Sequence, residues 1–224
     1  FINVDDPVRA MVVTSAAPGD GKTTVACNLA IAVAQSGKSV CLVESDLRRP
    51  RVTEYLQISS GIGLTEVLAG QAKLSDALQP WGKGLLHVLP PGSLPPNPSE
   101  LLGSQQMAQV IATLKNQFDV VILDTPPLLA VSDAAVLASQ ADGAVVVVRY
   151  GKSSREAIRH AIGSLEQIDA KILGTVLNAV PAKRGRGYGY GYGYGYGYGY
   201  GYTDHKADKS ERNPANLSAA SAEE

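Results

Sequence analysis

The sequence predicts a three-layer α/β domain with a mainly parallel central sheet, followed by a disordered C-terminal tail. Two observations predict the domain. Its apolar runs are continuous rather than alternating, as in residues 144–148, and they are separated by amphipathic stretches. Continuous apolar strands are buried on both faces of a sheet, and strands separated by helices pair in parallel. A third observation, the abrupt change of composition after Pro181, predicts the tail.

The individual elements follow from the same pattern. Strands are expected at residues 10–14, 40–44, 85–89, 119–123, 144–148 and 172–178, and helices at 22–35, 99–116, 132–139 and 155–167. The segment between the second and third strands is less regular. Ligands of such sheets bind at the carboxyl ends of the strands, so functional residues are expected in the loops that gather there.

The composition excludes several classes of function. The chain has 224 residues, 45% of them hydrophobic, and a net charge of −1. Without a basic excess, no nucleic-acid partner is expected. The apolar runs are too short to span a bilayer, and residues 1–9 do not resemble a signal peptide. Cys27 and Cys41 lie among apolar neighbours, which favours buried free thiols over a disulfide. Because the chain begins with Phe1, we expect a processed chain or part of a longer protein, whose preceding segment could carry a membrane anchor.

The domain boundary is expected near residue 180. Residues 1–180 would form the folded domain and residues 181–224 a flexible tail. Glycine and tyrosine alternate from Gly187 to Tyr202, and the chain after them is polar. Glycine at every second position adds backbone entropy that folding would have to overcome.

A glycine-rich turn between the first strand and the first helix predicts a phosphate-binding loop. The glycines let backbone N–H groups point at phosphate oxygens, and the helix N-terminus adds partial positive charge. Lys22 would contact the β- and γ-phosphates of ATP, and the Thr23 hydroxyl would hold Mg²⁺. The whole predicted nucleotide-contacting set in this loop is Gly19, Asp20, Gly21, Lys22, Thr23 and Thr24. The usual opening glycine is replaced by Ala16. The fold class is therefore that of P-loop NTPases.

An aspartate at the end of a later strand predicts a second part of the site. Asp124 follows an apolar run, as in the Walker B motif, where a carboxylate helps to hold the Mg²⁺ shell. Asp133 follows at the start of the next helix. A helix N-cap and a role in the site are equally compatible with its position.

The end of the second strand carries two acids followed by two arginines. A kinase needs a base near the acceptor hydroxyl and cations that balance the developing phosphoryl charge. Glu44 or Asp46 would supply the base, and Arg48 or Arg49 the positive charge. The alternative is a charged loop held by ion pairs.

Together these motifs resemble the catalytic domain of a bacterial tyrosine kinase (BY-kinase) of the exopolysaccharide or capsule type. The resemblance spans residues 8–202. It rests on Ala17-Pro18-Gly19-Asp20-Gly21-Lys22-Thr23 (Walker A), Leu42-Val43-Glu44-Ser45-Asp46-Leu47-Arg48-Arg49-Pro50 (Walker A′), Ile122-Leu123-Asp124-Thr125-Pro126-Pro127 (Walker B) and the C-terminal tyrosine cluster.

The resemblance implies roles for individual residues. Lys22 and Thr23 match the family's phosphate and Mg²⁺ ligands, and Asp46 and Asp124 match its metal-associated acids. Glu44 stands where the family usually has Asp. Asn178, in a segment that resembles the family's last strand, would lie near the adenine.

The resemblance also implies partners. Such kinases work beside a membrane chain-length regulator, which is a separate protein or the N-terminal part of the same chain. Copies of such a kinase phosphorylate one another in trans within homo-oligomers. A cognate phosphatase removes the phosphate groups. The domain would then be cytoplasmic, at the inner face of the cell membrane.

Beside a kinase site, the Gly-Tyr repeat is predicted to be the phosphoacceptor. Glycine spacers let each tyrosine enter a narrow site, and sixteen extended residues reach roughly 50 Å. Each phosphate adds about −1.5 to −2 charge. The charges of a fully phosphorylated tail would repel one another and any acidic surface nearby. The candidate acceptors are Tyr188, Tyr190, Tyr192, Tyr194, Tyr196, Tyr198, Tyr200 and Tyr202. The alternative is a low-complexity linker that makes aromatic contacts.

Two other functions compete with an autophosphorylating tyrosine kinase. One is a P-loop ATPase switch of the partition or assembly type, and the other is a nucleotide-binding scaffold without catalysis. Partition ATPases carry a lysine at the position of Ala17, which argues against the first. The complete set of acidic residues argues against the second.

Overall fold

The computed structural model describes residues 7–181. This part of the chain forms seven strands and eight helices. In chain order they are β1 (Ala10–Ser15), α1 (Lys22–Gln35), β2 (Val40–Glu44), α2 (Val52–Leu56), α3 (Leu64–Leu68), α4 (Leu74–Ala77), β3 (Gln79–Trp81), β4 (Leu86–Leu89), α5 (Pro98–Leu102), α6 (Gln105–Gln117), β5 (Val120–Asp124), α7 (Asp133–Gln140), β6 (Ala144–Arg149), α8 (Arg155–Glu166) and β7 (Ile172–Asn178).

The strands form one sheet in the order β3-β4-β2-β5-β1-β6-β7. Every neighbouring pair is parallel except β3 with β4, which is antiparallel. The expected mainly parallel sheet is confirmed. Because β1, β2 and β5 are adjacent and parallel, the loops that follow them meet at one edge of the sheet.

The sheet is covered on both faces, which confirms the three layers. Successive strand residues point to opposite sides, so Val12 belongs to one apolar cluster and Val13 to the other. The cluster around Val13 includes Cys27 of α1 and Val52 of α2. The cluster around Val12 includes residues of α6, α7 and α8, such as Ile111. The helices on the two faces of the sheet thus pack against the central strands, whose carboxyl ends lead into the site.

The structure corrects one predicted helix. The single helix expected over residues 99–116 is two helices, α5 and α6. Helix α5 ends before Gly103. The Ser104 side chain then caps α6 by accepting a hydrogen bond from the Met107 amide at 3.2 Å. The apolar spacing continues across this break, which is why the pattern suggested one helix.

The irregular region between β2 and β4 contains elements that the sequence pattern did not reveal. Helices α2, α3 and α4 have only four or five residues each, too short to show helical periodicity. Strand β3 has three residues and includes Pro80, which is tolerated because β3 lies at the sheet edge.

The cysteines and the lengths of the helices were also predicted from the sequence. Cys27 and Cys41 are buried free thiols, as predicted. Burial raises the pKa of Cys27 to about 12 and raises that of Cys41 as well. Within residues 7–181, no helix has the length and apolar character needed to cross a membrane. The predicted tail and its eight tyrosines lie outside the described residues.

Candidate active site

The loop between β1 and α1 has the backbone of a phosphate-binding loop. Two of its glycines have positive φ angles, +82° at Gly19 and +92° at Gly21, which residues with a Cβ rarely adopt. A Cβ on Gly21 would also collide with the side-chain amide of Asn178. The next residue, Lys22, is the first residue of α1. The N-terminal N–H groups of a 14-residue helix therefore face the loop.

The aspartate within this loop holds its shape. Asp20 is only 2% exposed. Its carboxylate accepts hydrogen bonds from the Ala17 amide at 3.2 Å and from the Ser153 hydroxyl at 2.9 Å. Arg149 donates to the Gly19 carbonyl at 2.7 Å. The carboxylate of Asp20 therefore braces the loop internally, and residues at and just after the end of β6 fix it from the side.

Asn178 contacts the same loop. Its side-chain N–H donates to the Asp20 carbonyl at 3.0 Å, and its side-chain oxygen accepts from the Ala179 amide at 2.8 Å. The structure therefore places Asn178 at the loop's backbone. The adenine role of Asn178 stays a prediction.

Lys22 joins the two acidic motifs. Its ammonium nitrogen lies 3.0 Å from Asp46 Oδ2 and 3.9 Å from Asp124 Oδ1. Thr23 Oγ1 is 3.3 Å from the same nitrogen. Burial alone would lower the pKa of Lys22, but the Asp124 and Asp46 carboxylates outweigh it and raise the pKa. The residues that the sequence predicted as separate motifs are thus one cluster around a single cation.

Asp124 has the surroundings of a metal-binding carboxylate. It is completely buried, and neither carboxylate oxygen accepts a hydrogen bond from any residue in the range 7–181. Burial raises its pKa to about 6, against the opposing influence of Lys22. A buried carboxylate without hydrogen bonds needs a cation or another polar partner. Among the described residues no group of three or more His, Cys, Asp or Glu side chains could hold a metal. Mg²⁺ is usually held by one or two carboxylates plus phosphates, and Asp46 and Asp124 are the carboxylates beside Lys22.

Glu44 lies below the surface of the site. It is fully buried, and its Oε2 accepts from the backbone amides of Arg51 at 2.7 Å and Val52 at 2.6 Å. Burial and the charge of Asp124 raise its pKa to about 8. The side chain therefore fixes the loop that enters α2. By contrast Asp46 is part of the cleft wall described below.

Arg48 is held by an ion pair with a distant residue. Its Nε lies 2.8 Å from Asp133 Oδ2, and its Nη2 donates to Asp133 Oδ1 at 3.3 Å and to Ser99 Oγ at 2.9 Å. The hydrogen bonds to Asp133 raise the pKa of Arg48 further. The Ser99 hydroxyl also donates to Asp133 at 2.5 Å. The N-cap interpretation of Asp133 is wrong: α7 begins at Asp133, and its buried side chain faces Arg48.

A cleft of about 570 Å³ opens above this cluster. Its lining combines cations, the lysine of the loop and three arginines, with apolar residues and prolines. Its lining residues are Pro18, Gly19, Gly21, Lys22, Thr23, Thr24, Asp46, Arg48, Arg49, Arg51, Pro126, Pro127, Ala130 and Val131. A cleft with this lining can accommodate a polyphosphate and an aromatic side chain beside it.

Sequence reasoning missed three contributors to the site. Arg149 and Ser153 brace the phosphate loop, and Ser99 supports the ion pair of Arg48. They come from two separate segments of the chain, the end of β6 with the turn after it and helix α5, and belong to no local motif. Only the fold brings them to the site.

The chain is similar to known proteins in sequence and in structure. The AAA domain family matches residues 8–177. The tyrosine-protein kinase YwqD of Bacillus subtilis (strain 168) is 41% identical over 178 residues, which are 80% of this chain and 75% of the relative. The tyrosine-protein kinase etk of Escherichia coli (strain K12) is 39% identical over 180 residues, 80% of this chain but only 25% of the relative. The structure of the kinase domain of Escherichia coli tyrosine kinase ETK superposes with a TM-score of 0.76 at 38% identity, covering 82% of this chain and 72% of that one.

Proposed function

Because the chain belongs to the bacterial tyrosine-protein kinase family, we propose that it is an autophosphorylating protein-tyrosine kinase. It would transfer the γ-phosphoryl group of ATP to the tyrosines of the Gly-Tyr repeat. The observation that carries this proposal is the position of Lys22, which joins the Asp46 and Asp124 carboxylates directly below an open cleft. Phosphoryl transfer depends on positioning and charge, and this cluster supplies both.

The donor half of the site would bind ATP with Mg²⁺. Backbone N–H groups around Gly19 and Gly21 and the side chains of Lys22 and Thr24 are placed to contact phosphates. Asp124, whose buried oxygens lie near Lys22 but accept no hydrogen bond among residues 7–181, and the Thr23 hydroxyl would hold the metal shell, with Asp46 beside them. The metal ion neutralises charge on the phosphate oxygens.

The acceptor tyrosine would pack on apolar residues of the cleft lining such as Pro127 and Val131. A tyrosine oxygen attacks the γ-phosphorus, a new O–P bond forms, and the bond from that phosphorus to the bridging oxygen breaks, releasing ADP. The phenolic proton passes to a carboxylate. Of the two candidates, Asp46 lies in the cleft wall, whereas Glu44 is buried with one oxygen already accepting two amide N–H groups. We therefore assign the base to Asp46, with Lys22 and Arg48 balancing the phosphoryl charge.

The rival function is a P-loop ATPase switch without kinase activity. Two features favour the kinase. Ala17 occupies the position of the lysine typical of partition ATPases, and the chain carries eight regularly spaced tyrosines after its domain. A switch that only hydrolyses ATP has no use for such a repeat.

The physiological setting follows from the family. We propose that the chain regulates exopolysaccharide or capsule synthesis and export. It would act at the inner face of the cell membrane, beside a chain-length regulator that is either a separate protein or part of the same polypeptide. Copies of the chain would phosphorylate one another, and a phosphatase would reverse the modification.

A labelling experiment tests the proposal. The full chain is incubated with γ-labelled ATP and Mg²⁺, beside a Lys22→Met variant and a chain that ends at Pro181. The kinase predicts label on tail tyrosines, identified by mass spectrometry, and loss of the label in both variants. Release of free phosphate without labelled protein would indicate the ATPase switch instead. Nucleotide binding without any turnover would indicate a scaffold.

A further inference from the structure

The segment that follows β2 presents three arginines to the cleft on a fixed backbone. The Asp46 carboxylate accepts a hydrogen bond from the Arg49 amide at 3.0 Å, and Glu44 accepts from the Arg51 amide at 2.7 Å. Pro50, between the two arginines, restricts the backbone further. Both arginine side chains therefore start from positions that are set before any ligand binds.

The three guanidinium groups differ in their partners. Arg48 is bound by Asp133, as described above. Arg51 pairs with Glu54 at 2.7 Å, but the two side chains are 67% and 71% exposed. Such an exposed pair contributes little, so an incoming phosphate can displace Glu54 at small cost. Within residues 7–181, the Arg49 guanidinium forms no ion pair or hydrogen bond. Arg49 and Arg51 are therefore free to bind an anion.

Another cavity of about 350 Å³ adjoins the cleft at Thr23, Thr24 and Arg51, which line both. Its other lining residues are Glu54 and Tyr55. The Tyr55 side chain is well exposed, and its hydroxyl accepts a hydrogen bond from Asn28 Nδ2 at 2.8 Å, which fixes the ring. A guanidinium beside an exposed aromatic ring matches the two parts of a phosphotyrosine: the phosphate binds the cation, and the ring packs on the ring.

In the Gly-Tyr repeat, a phosphorylated tyrosine lies at a fixed spacing from the next acceptor tyrosine. In the Gly-Tyr repeat, each tyrosine is two residues from the next. In an extended chain, residues two apart lie on the same side and about 6.5–7 Å apart along the strand. One phosphorylated tyrosine held beside the cleft thus presents its neighbour to the cleft itself.

On these grounds, and resting on the kinase function proposed above, we propose that Arg49 and Arg51 form a subsite for a phosphotyrosine already made in the repeat. The subsite takes an aryl phosphate monoester. Phosphorylation of the tail then proceeds from neighbour to neighbour, with each product phosphate docking the next acceptor two residues away.

The test uses the full chain with all eight tail tyrosines changed to Phe, so that the enzyme does not label itself. The substrates are two synthetic peptides, Gly-Tyr-Gly-Tyr-Gly and the same peptide with one tyrosine phosphorylated. Two quantities are measured: kcat/KM for each peptide, and the affinity of each peptide by fluorescence anisotropy with ADP and Mg²⁺ present. The affinity does not depend on turnover, so it reports on the subsite separately from the kinase activity.

We expect the phosphorylated peptide to be preferred by about tenfold in both measurements, since a hydrogen-bonded charge pair typically contributes at least this much. Arg49→Gln and Arg51→Gln should each bring the ratio close to one. Glu54→Gln, which removes the competing carboxylate from Arg51, should increase the ratio. Arg159→Gln on α8 removes the same charge outside the cleft and should leave the ratio unchanged.

Equal affinity of the two peptides for the unmutated cleft would overturn the subsite. It would also be overturned if the arginine variants raised KM for ATP equally with both peptides, because the arginines would then bind the nucleotide. If neither peptide is phosphorylated, the kinase function fails, while a tenfold affinity for the phosphopeptide would still support the subsite.

Discussion

Glu44 and Asp124 are paired residues at the ends of the adjacent strands β2 and β5, and both carboxyl groups are completely buried. Two acids this close cannot both ionise easily in a buried position. Burial raises their pKa values to about 8 and about 6, and the Asp124 charge contributes to the shift of Glu44. Positive charge near the floor of the site therefore stabilises the ionised pair, and Lys22 supplies such a charge.

This pair predicts an unusual pH dependence of stability. The ordinary values are 4.5 for Glu44 and 3.8 for Asp124, so both pKa values are higher in the folded chain. Between the ordinary and the raised values the folded state holds more protons, and the free energy of unfolding falls as pH rises from about 4 to 8. Urea unfolding of the nucleotide-free chain at pH 5.5 and 8.5 should show this loss.

The substitution Glu44→Gln should reduce the fall in the free energy of unfolding between pH 5.5 and 8.5. Its amide oxygen still accepts a backbone N–H, but the residue no longer titrates, so the unfolding free energy at pH 8.5 should exceed that of the unmutated chain by a few kcal/mol. Glu156→Gln, at an exposed position of α8, serves as the control. Parallel pH profiles for the unmutated chain and both variants would refute the role of the buried pair.

A metal-site prediction concerns Asp124. Asp124→Asn keeps the side-chain shape but removes the charge that would bind Mg²⁺. Tyrosine phosphorylation should fall at least about 100-fold, as expected when a group that stabilises the transition state is lost. The affinity for ADP should also stop responding to Mg²⁺, which isothermal titration with and without the metal measures. An unchanged Mg²⁺ response would remove Asp124 from the metal site.

A third prediction concerns the brace of the phosphate loop. Asp20→Ala removes the carboxylate that accepts from the Ala17 amide and the Ser153 hydroxyl. The loop must then be ordered by the nucleotide, so the dissociation constant of ADP should rise about tenfold. Ser153→Ala removes one of the two bonds and should have a smaller effect of about two- to threefold. If ADP affinity is the same in all three chains, the brace does not matter for binding.

The sequence predicted where the loop lysine and the acidic residues lie because each motif is local. Lys22 begins the helix after β1, Asp46 comes two residues after β2 and Asp124 ends β5, and the parallel sheet brings these points together. The partner of Arg48 was not predictable in the same way. Asp133 is 85 residues away along the chain, and its position at a helix start suggested a cap instead. The buried place of Glu44 was also unpredictable, since it depends on where the loop before α2 folds back.

A fourth prediction concerns that long-range pair. Arg48→Met leaves Asp133 buried without its cation, which should lower the free energy of unfolding by about 2–4 kcal/mol; the loss is moderated because the arginine side chain is 38% exposed. The double variant Arg48→Met with Asp133→Leu removes both charges and should recover much of the loss. Urea unfolding of both single variants and the double variant gives the coupling energy. Additive losses would show that the pair is not coupled.

We predict that one copy of the chain phosphorylates the tail tyrosines of another. The most direct test mixes two full-length variants, neither of which can phosphorylate a tyrosine of its own tail. One is a chain with all eight tail tyrosines changed to Phe, which keeps the catalytic cluster, and the other is Lys22→Met, which keeps the tail. With γ-labelled ATP and Mg²⁺, we predict phosphotyrosine on the Lys22→Met tail only when both chains are present. Tail label that appears without the first chain, or label that falls only on residues of the folded domain, would contradict the claim.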